Sequence, residues 1–173
     1  GVEVQTEKVW GFADESGKAR ILVVNRLDRD RSSFSRALES IQKSFGRTAV
    51  PIQLPLGEEK DFRGIVDLVR MKAYISKGDE KGTHEEKDVP ADMKDEVEAA
   101  RSALVEMVAE VDDALMEKYL ETGALSPEEF LNGLKLSVVS GKVFPVLAVS
   151  GGKNVGVRPL MDALVDLTPA PDA

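Results

Sequence analysis

The sequence predicts an α/β fold that is interrupted by an α+β segment. Two short apolar runs, at 21–24 and 143–149, each end in polar or small residues and are typical of buried strands in a parallel sheet. Between them lie proline-marked extended runs and long helical patterns instead. We therefore divide the chain into residues 1–47, an inserted α+β subdomain over 48–139, and residues 140–173, which return to the α/β pattern.

Residues 1–47 are predicted to form a helix, a strand and a second helix. A surface helix is predicted over 5–15, and the strand 21–24 that follows should be buried on both faces. Ser32 or Ser33 can cap the next helix. Its apolar positions follow one helical face, at Phe34, Leu38, Ile41 and Phe45. A strand followed by a helix is the front half of a βαβ unit.

The inserted subdomain begins with extended chain. In the run 50–55, Val50, Ile52 and Leu54 alternate with Pro51, Gln53 and Pro55, and the prolines restrict the run to an edge strand or an extended segment. Two short strands are predicted at 65–69 and 71–75. Residues 76–90 are rich in glycine and charge and are predicted to form a mobile loop. This loop carries the lone histidine, His84, which we expect to be solvated and without a catalytic role.

Helices and a final strand complete the predicted elements. Helices are expected over about 91–111 and 113–120. A capping box at Ser126-Pro-Glu-Glu129 begins a third, which continues to Val138. The strand 143–149 contains Pro145, which lacks an N–H group, so the strand is predicted to lie at a sheet edge. A closing helix presents Val157, Leu160, Met161, Leu164 and Val165 on one face.

Composition and charge limit the classes of function. The net charge of −8 argues against broad contact with nucleic acid, so no sequence-specific nucleic acid binding is expected. There is no cysteine, which excludes disulfides and thiolate chemistry and is consistent with the cytoplasm. No apolar run reaches the length of about 20 residues that a bilayer-spanning helix needs, so no membrane partner is expected.

The chain ends favour a piece of a longer protein. The chain opens at Gly1 without methionine and closes on a linker-like tail over 168–173. The alternative is a small whole protein whose initiator has been removed. If the chain is a fragment, the strand 21–24 is expected to lose neighbours and to expose an edge that could pair with a second copy.

The polar residues after the first strand match the needs of guanine recognition. Asp28 could accept hydrogen bonds from N1–H and the N2 amine of guanine together, whereas adenine would leave the carboxylate unpaired. Asn25 could brace the loop and reach the base edge, and Arg26 could stack on the base. The alternative for Asn25-x-x-Asp28 is an Asx-turn that caps the next helix.

A second small-residue loop follows the other apolar strand. Ser150, Gly151 and Gly152 allow close backbone approach to a ligand, and a backbone N–H here could donate to guanine O6. The alternative is a simple turn. The two motifs support each other because both lie where neighbouring parallel strands would end, which is where ligands bind in open α/β sheets. No catalytic residue and no metal ligand is predicted.

These motifs resemble those of a known family. Asn25-Arg-Leu-Asp-Arg29 resembles the Asn-Lys-x-Asp guanine motif of translational GTPases, and Ser150-Gly-Gly-Lys-Asn154 resembles their Ser-Ala-x loop. The segments 53–57, 62–67, 71–74 and 113–120 resemble the inserted subdomain of bacterial elongation factor G, and 156–165 resembles the last helix of its GTPase domain. The resemblance implies the last strands and helices of a P-loop-type GTPase parallel sheet, with the α+β insertion.

The resemblance also implies a function and a division of labour. The intact factor would bind GTP or GDP, hydrolyse GTP on the ribosome and drive translocation, or act in ribosome recycling in some paralogues. Arg26 and Gly151 depart from the usual lysine and alanine. No phosphate loop is present: Gly151 to Gly156 has its glycine spacing, but Val157 follows. Phosphate and magnesium ligands would lie outside the chain, so the chain alone should be inactive and bind guanine nucleotide weakly or not at all.

The acidic helix of the insertion is the candidate docking surface. It carries Asp92, Asp95, Glu96 and Glu106, which either form a solvated face or bind a basic partner. The resemblance implies that the partner is the C-terminal domain of the ribosomal stalk protein. Two other hypotheses remain open: an interaction module that binds no nucleotide, and a piece of an unrelated α/β nucleotide enzyme.

Overall fold

The computed structural model describes residues 1–170, which form two β-sheets surrounded by α-helices. The strands are β1 (Leu22–Val24), β2 (Ala49–Pro51), β3 (Gln53–Leu56), β4 (Gly64–Asp67), β5 (Lys72–Ser76), β6 (His84–Lys87) and β7 (Phe144–Ala148). The helices are α1 (Val4–Glu15), α2 (Phe34–Phe45), α3 (Lys94–Ala109), α4 (Asp113–Thr122), α5 (Pro127–Val139) and α6 (Val157–Leu167). Short 3-10 turns lie at Glu59–Asp61 and Ala91–Met93.

The α/β part is a three-stranded parallel sheet in the order β1-β7-β2. Val23 lies opposite Leu147, and Val50 lies opposite Pro145. The two apolar runs of the sequence are therefore parallel neighbours, as predicted. Every residue of β7 is buried, because this strand has a partner on each side and helices over its faces.

The prediction that the strand with Pro145 lies at a sheet edge is wrong, because β7 is the central strand. Its N–H groups alternate in direction: Phe144 donates to Thr48 O on the β2 side, and Val149 donates to Val24 O on the β1 side. The nitrogen of Pro145 therefore faces β1. Pairing with β1 begins only at Val146, opposite Leu22. The missing N–H thus falls one residue before the ladder starts, where it costs no hydrogen bond.

The prediction that the first strand is buried on both faces is also wrong. β1 is an edge strand, and Val23 is 43% exposed. The expectation of an exposed edge at this strand is confirmed.

The second sheet is antiparallel, in the order β3-β4-β5-β6. It confirms the two strands predicted near 65–69 and 71–75. The predicted loop over 76–90 instead contains β6, in which His84 pairs with Ser76. The expectation of a solvated His84 is wrong, because its ring packs edge-on against Tyr74 with a centroid distance of 4.8 Å. An edge strand can pair through its backbone even when its side chains are charged, as those of β6 are. These charged residues are the reason that the sequence did not predict a strand there.

One extended segment joins the two sheets at Ile52. The Ile52 N–H donates to Val146 O (3.1 Å) in the parallel sheet, and its carbonyl accepts from Leu68 N (3.0 Å) in the antiparallel sheet. β2 and β3 lie at the edges of their sheets, as the prolines predicted. Residues 49–51 pair within the parallel sheet, although the predicted insertion begins at 48. The division of the chain into domains remains a prediction.

The helices cover the sheets through one apolar core. The core-facing residues of α3 and α5 are fully or almost fully buried, and they are Val97, Leu104, Val108, Phe130, Leu134 and Val138. Arg101 of α3 lies 3.6 Å from the centre of the Phe130 ring and donates to Leu68 O (2.7 Å), which ties α3 to the antiparallel sheet. Ser33 caps α2, and the predicted capping box begins α5. In the described residues, no helix has the length and apolar character that a bilayer crossing requires.

Candidate functional site

The loops that follow β1 and β7 meet at the carboxyl ends of these strands. Leu27 is buried in the loop after β1, and its N–H donates to Val149 O (3.3 Å) at the end of β7. This apolar anchor holds the exposed Asn25 and the half-buried Asp28 beside Ser150. Leu27 was not predicted as part of the site, although an apolar residue between polar loop residues was a visible signal.

Asn25 braces the second loop through its side-chain oxygen. Asn25 Oδ1 accepts from Gly151 N (3.0 Å) and from Arg26 N (2.7 Å). Arg26 adopts a left-handed backbone conformation, φ 63°, and its side chain is exposed. The amide nitrogen of Asn25 has no hydrogen-bond partner among residues 1–170. The oxygen of Asn25 is therefore committed to the loop, and its amide N–H groups remain for a ligand.

A buried hydroxyl holds the Asp28 carboxylate. Ser150 is fully buried, and its Oγ donates to Asp28 Oδ1 at 2.6 Å. Ser150 Oγ also accepts from Lys153 N (3.2 Å), which orients the hydroxyl toward Asp28. The Ser150 hydrogen bond is the main cause that lowers the pKa of Asp28, against an opposing effect of burial and with help from the charges of Lys153 and Arg29. Asp28 is therefore held as a carboxylate.

The loop after β7 is closed by its own backbone. Ser150 and Val155 exchange two hydrogen bonds, Ser150 N to Val155 O (2.9 Å) and Val155 N to Ser150 O (3.0 Å). Gly156 must be glycine, because its φ is +74° and a Cβ would lie 2.6 Å from Ala148 O. Gly151 and Gly152 are exposed at the tip. A Cβ at Gly151 would lie 3.6 Å from Asn25 Oδ1, so alanine would fit there.

The structure brings four of the six predicted residues into one hydrogen-bonded cluster. These four are Asn25, Asp28, Ser150 and Gly151. Arg26 and Gly152 lie next to them in the chain, and neither contributes a side-chain hydrogen bond to the cluster. Asp28 Oδ2 has no hydrogen-bond partner among the described residues. A free carboxylate oxygen beside one that is held by a hydroxyl fits a ligand edge with two adjacent N–H donors.

The predicted docking residues all lie on the outer surface of the insertion. Asp92 is in the turn before α3, Asp95 and Glu96 are in its first turn, and all are exposed, as is Glu106 further along. Asp95 and Glu106 project roughly 20° apart around the helix axis. Asp95 and Glu106 therefore lie opposite the buried face of α3, and we call the four exposed carboxylates together the acidic face. Their role in docking remains a prediction.

A parallel sheet with polar loops at the carboxyl ends of adjacent strands is the arrangement of nucleotide-binding α/β domains. Residues 1–170 match the family described as "Elongation factor Tu GTP binding domain". The chain therefore belongs to this family of translational GTPases. The fold also matches the crystal structure of a protein from Thermus thermophilus, with a TM-score of 0.87 and 33% sequence identity. The match covers 99% of this chain and 25% of that chain, so this chain spans about a quarter of the length of that relative.

Proposed function

We propose that the chain is the guanine-recognition part of an elongation factor G-type GTPase domain, together with its inserted subdomain. The observation that carries the proposal is the contact of Ser150 with Asp28, which joins the ends of two parallel strands and leaves one carboxylate oxygen free. The antiparallel sheet and helices between β2 and β7 support the comparison with elongation factor G.

The proposed mode of base recognition follows from the free donors and acceptors. The Asp28 carboxylate accepts from N1–H and the N2 amine of guanine, and Arg26 stacks on the base. The N–H of Gly151 is already bound to Asn25 Oδ1. The N–H of Gly152 makes no backbone hydrogen bond among the described residues, so Gly152 is the proposed donor to guanine O6. Adenine, with an acceptor at N1, would leave Asp28 unpaired.

The activity of the intact protein is proposed by the same comparison. It binds and hydrolyses GTP and promotes ribosomal translocation in the cytoplasm, with a role in ribosome recycling as the alternative. The phosphates and their magnesium ion are held by residues outside this chain, and the chain alone is inactive and binds nucleotide weakly or not at all. The family match supports GTP binding in translation.

The inserted subdomain is proposed to dock the C-terminal domain of the ribosomal stalk protein. The acidic face formed by Asp92, Asp95, Glu96 and Glu106 supports this, because several exposed carboxylates on one side of a helix favour a basic partner. The same exposure favours the second candidate function, an interaction module that needs no nucleotide. Binding of the stalk domain with and without GDP separates the two.

The test of guanine recognition is Asp28→Asn in the full-length protein. An asparagine amide accepts from N1–H of xanthine and donates to its O2, but it repels the N2 amine of guanine. We expect affinity for GDP to fall by roughly 100-fold or more and affinity for xanthosine diphosphate to rise, both measured by calorimetry.

The matched control is Asp30→Asn, which removes a carboxylate from the same loop. Asp30 is exposed, its carboxylate lies 3.8 Å from the Lys60 amine, and it makes none of the hydrogen bonds that join Asn25 and Asp28 to the loop after β7. The Asp30→Asn variant should bind GDP and xanthosine diphosphate with the same affinities as the unmodified protein. Unchanged GDP affinity in Asp28→Asn would show that Asp28 does not read the base.

A further inference from the structure

The tip of the β5–β6 hairpin is hydrogen-bonded to the loop 150–155, which follows β7, through Asn154. Asn154 Nδ2 donates to the carbonyl of Glu80 at 3.0 Å, across the boundary between the inserted subdomain and the α/β part. We propose that this contact makes the hairpin tip, residues 77–83, a support for the loop 150–155, so that the inserted subdomain sets the rate of guanine nucleotide release. The inference rests on the proposed function, because it assigns a positioning residue to the same site.

The hairpin tip is shaped to receive Asn154. Gly82 is buried although it lies at the end of a hairpin, and its φ is +63°. A Cβ at Gly82 would lie 2.7 Å from Asn154 Nδ2 and 2.8 Å from its Cγ and Oδ1. Any residue other than glycine would therefore push the Asn154 amide away from the hairpin.

The hairpin tip is closed by hydrogen bonds of its own. Asp79 Oδ1 accepts from Thr83 N (2.9 Å), the Asp79 carbonyl accepts from Gly82 N (3.1 Å), and Lys77 N donates to Thr83 O (2.9 Å). These bonds fix the Glu80 carbonyl, which lies between them in the chain. The acceptor that holds Asn154 is thus presented by a closed turn and not by a freely moving loop.

Asn154 is directly linked to the residues that face the base. Its backbone N–H donates to Gly151 O (3.4 Å), and it precedes Val155, which exchanges two hydrogen bonds with Ser150. Ser150 in turn holds Asp28. A shift of Asn154 therefore moves Gly151, through the Gly151 carbonyl, and Ser150, whose hydroxyl holds Asp28.

Among the described residues, Asn154 makes the only hydrogen bond between the hairpin tip and the loop 150–155. Beside it, an open cleft of about 430 Å³ separates the hairpin from the loop, and its lining includes Phe62, Arg63, Ser76, Lys153 and Val155. Because the two segments are apart there, little other packing can replace the bond between Asn154 and Glu80. This hydrogen bond is therefore the direct polar link between the hairpin tip and the loop 150–155.

The first test is Asn154→Gly in the full-length protein. Asn154 has φ 54°, which glycine adopts without strain, so the substitution removes the side-chain donor and keeps the backbone. We expect fluorescently labelled GDP to dissociate about fivefold faster, the order expected for one lost hydrogen bond. Lys81→Ala, an exposed residue of the same hairpin tip, should leave the rate unchanged.

The second test asks whether Asn154 acts through the hairpin tip or only through the conformation of its own loop. Replacing residues 77–83 by an Asn-Gly turn removes the Glu80 carbonyl and should speed release as much as Asn154→Gly does. In that shortened background, Asn154→Gly should add nothing. An equal effect of Asn154→Gly with and without the hairpin tip would overturn the inference, and so would unchanged release in both single variants.

A third measurement does not depend on nucleotide. Amide hydrogen exchange over residues 150–155 should be faster in the shortened variant than in the unmodified protein. If the unmodified protein fails to bind GDP, the proposed function fails, and the exchange measurement still decides the coupling. Unchanged exchange in the loop would overturn it.

Discussion

The contact between Ser150 and Asp28 defines the chemistry at the residue scale. A buried hydroxyl donates to one carboxylate oxygen, and a backbone N–H from Lys153 fixes the direction of that hydroxyl. The pKa of Asp28 is lowered mainly by this bond. A group whose pKa is lower in the folded than in the unfolded chain stabilises the fold at neutral pH, and this contribution is lost as the pH falls through the folded-state pKa.

Replacement of Ser150 by alanine should therefore raise the pKa of Asp28 toward its ordinary value. The change is read from the pH titration of the Asp28 side-chain carbon by NMR. The stability that Asp28 contributes above this pKa should shrink in the same variant. Ser102→Ala, on the exposed face of α3, should leave the Asp28 titration where it is. An unshifted titration in Ser150→Ala would contradict the assigned cause.

Local pattern predicted that Asn25, Asp28, Ser150 and Gly151 lie together, because each follows an apolar strand in the sequence, and the structure brings them together. It did not identify Asn154, whose partner carbonyl lies 74 residues away. The backbone N–H of Lys153 also carried no signal, because backbone groups do not depend on residue type. The structural roles of such residues follow from tertiary contacts that one sequence does not display.

At the scale of single elements, α5 shows how a local signal fixes a boundary. Ser126 Oγ accepts from Glu129 N (3.3 Å), and Glu129 Oε2 accepts from Ser126 N (3.0 Å). Glu129 also contacts Lys118 of α4, and the hydrogen bonds from Lys118 and Ser126 lower the pKa of Glu129 to about 2. The start of α5 was predictable because all of its determinants lie within four residues.

Ser126→Ala should destabilise the protein by about 1 kcal/mol, since it removes the cap of α5. The free energy of unfolding is measured by chemical denaturation. Ser102→Ala is the matched control, because it replaces an exposed serine in the interior of α3, where alanine favours the helix slightly. Equal stability of both variants would show that the capping box does not stabilise α5.

The acidic face of α3 provides a prediction about docking. Reversal of Asp95, Glu96 and Glu106 to lysine should weaken binding of the stalk C-terminal domain by roughly tenfold at low salt, since charge complementarity would be lost. Titration calorimetry at low and high salt measures the affinity and its salt dependence. Unchanged affinity would remove α3 from the docking surface.

A variant with the same change in net charge is the control for α3. Glu7, Glu15 and Glu39 are exposed carboxylates on α1 and α2, away from the inserted subdomain. Their reversal to lysine should leave stalk binding unchanged. Equal weakening in both variants would point to net charge and not to a specific face.

Two strands show where reasoning by residue type fails at the element scale. Pro145 led to the prediction that its strand lies at a sheet edge. In the structure, its nitrogen lies one residue before the β1–β7 ladder begins, so a central strand tolerates it. The strand β6 is composed of His84-Glu-Glu-Lys87, and it is held by backbone pairing with β5. In both cases the position of a neighbour, which the sequence does not give, overrides propensity.

At the scale of the whole molecule, Arg70 ties the antiparallel sheet to the last helix. Its guanidinium donates to Asp67 Oδ2 (3.3 Å) and to Asp166 Oδ2 of α6 (2.7 Å). Asp67 is buried and also accepts from Val69 N and Arg70 N. The ion pair between Arg70 and Asp166 therefore joins the predicted insertion to α6, close to Ile52, which lines the same small cavity as these two residues.

Arg70→Met should lower the free energy of unfolding by about 1 kcal/mol, because it removes both ion pairs but keeps the aliphatic stem. The difference, measured by chemical denaturation, should be smaller at high salt. The control is Lys72→Met, whose partner Asp88 is almost fully exposed, and which should cost less. A larger effect at Lys72 would contradict the bridging role of Arg70.

The alternation of α/β and α+β segments was readable from the sequence, because strand composition changes between them. The exact junction was not. Ile52 lies between β2 and β3 and bonds in both directions, and its residue type does not show that its N–H pairs with β7 and its carbonyl with Leu68.

The central position of β7 has a consequence for synthesis of the chain. Its two neighbours, β1 and β2, lie far upstream, and they contact β7 and not each other. During synthesis, which runs from the N-terminus, the edges of β1 and β2 that pair with β7 therefore stay unpaired. They can pair only after the roughly 90 residues between β2 and β7 have been made. The antiparallel sheet, whose strands follow one another through short connections, needs no such delay. We expect insertion of β7 between its neighbours to be the late, slow step of folding, because the chain must close its longest loops there.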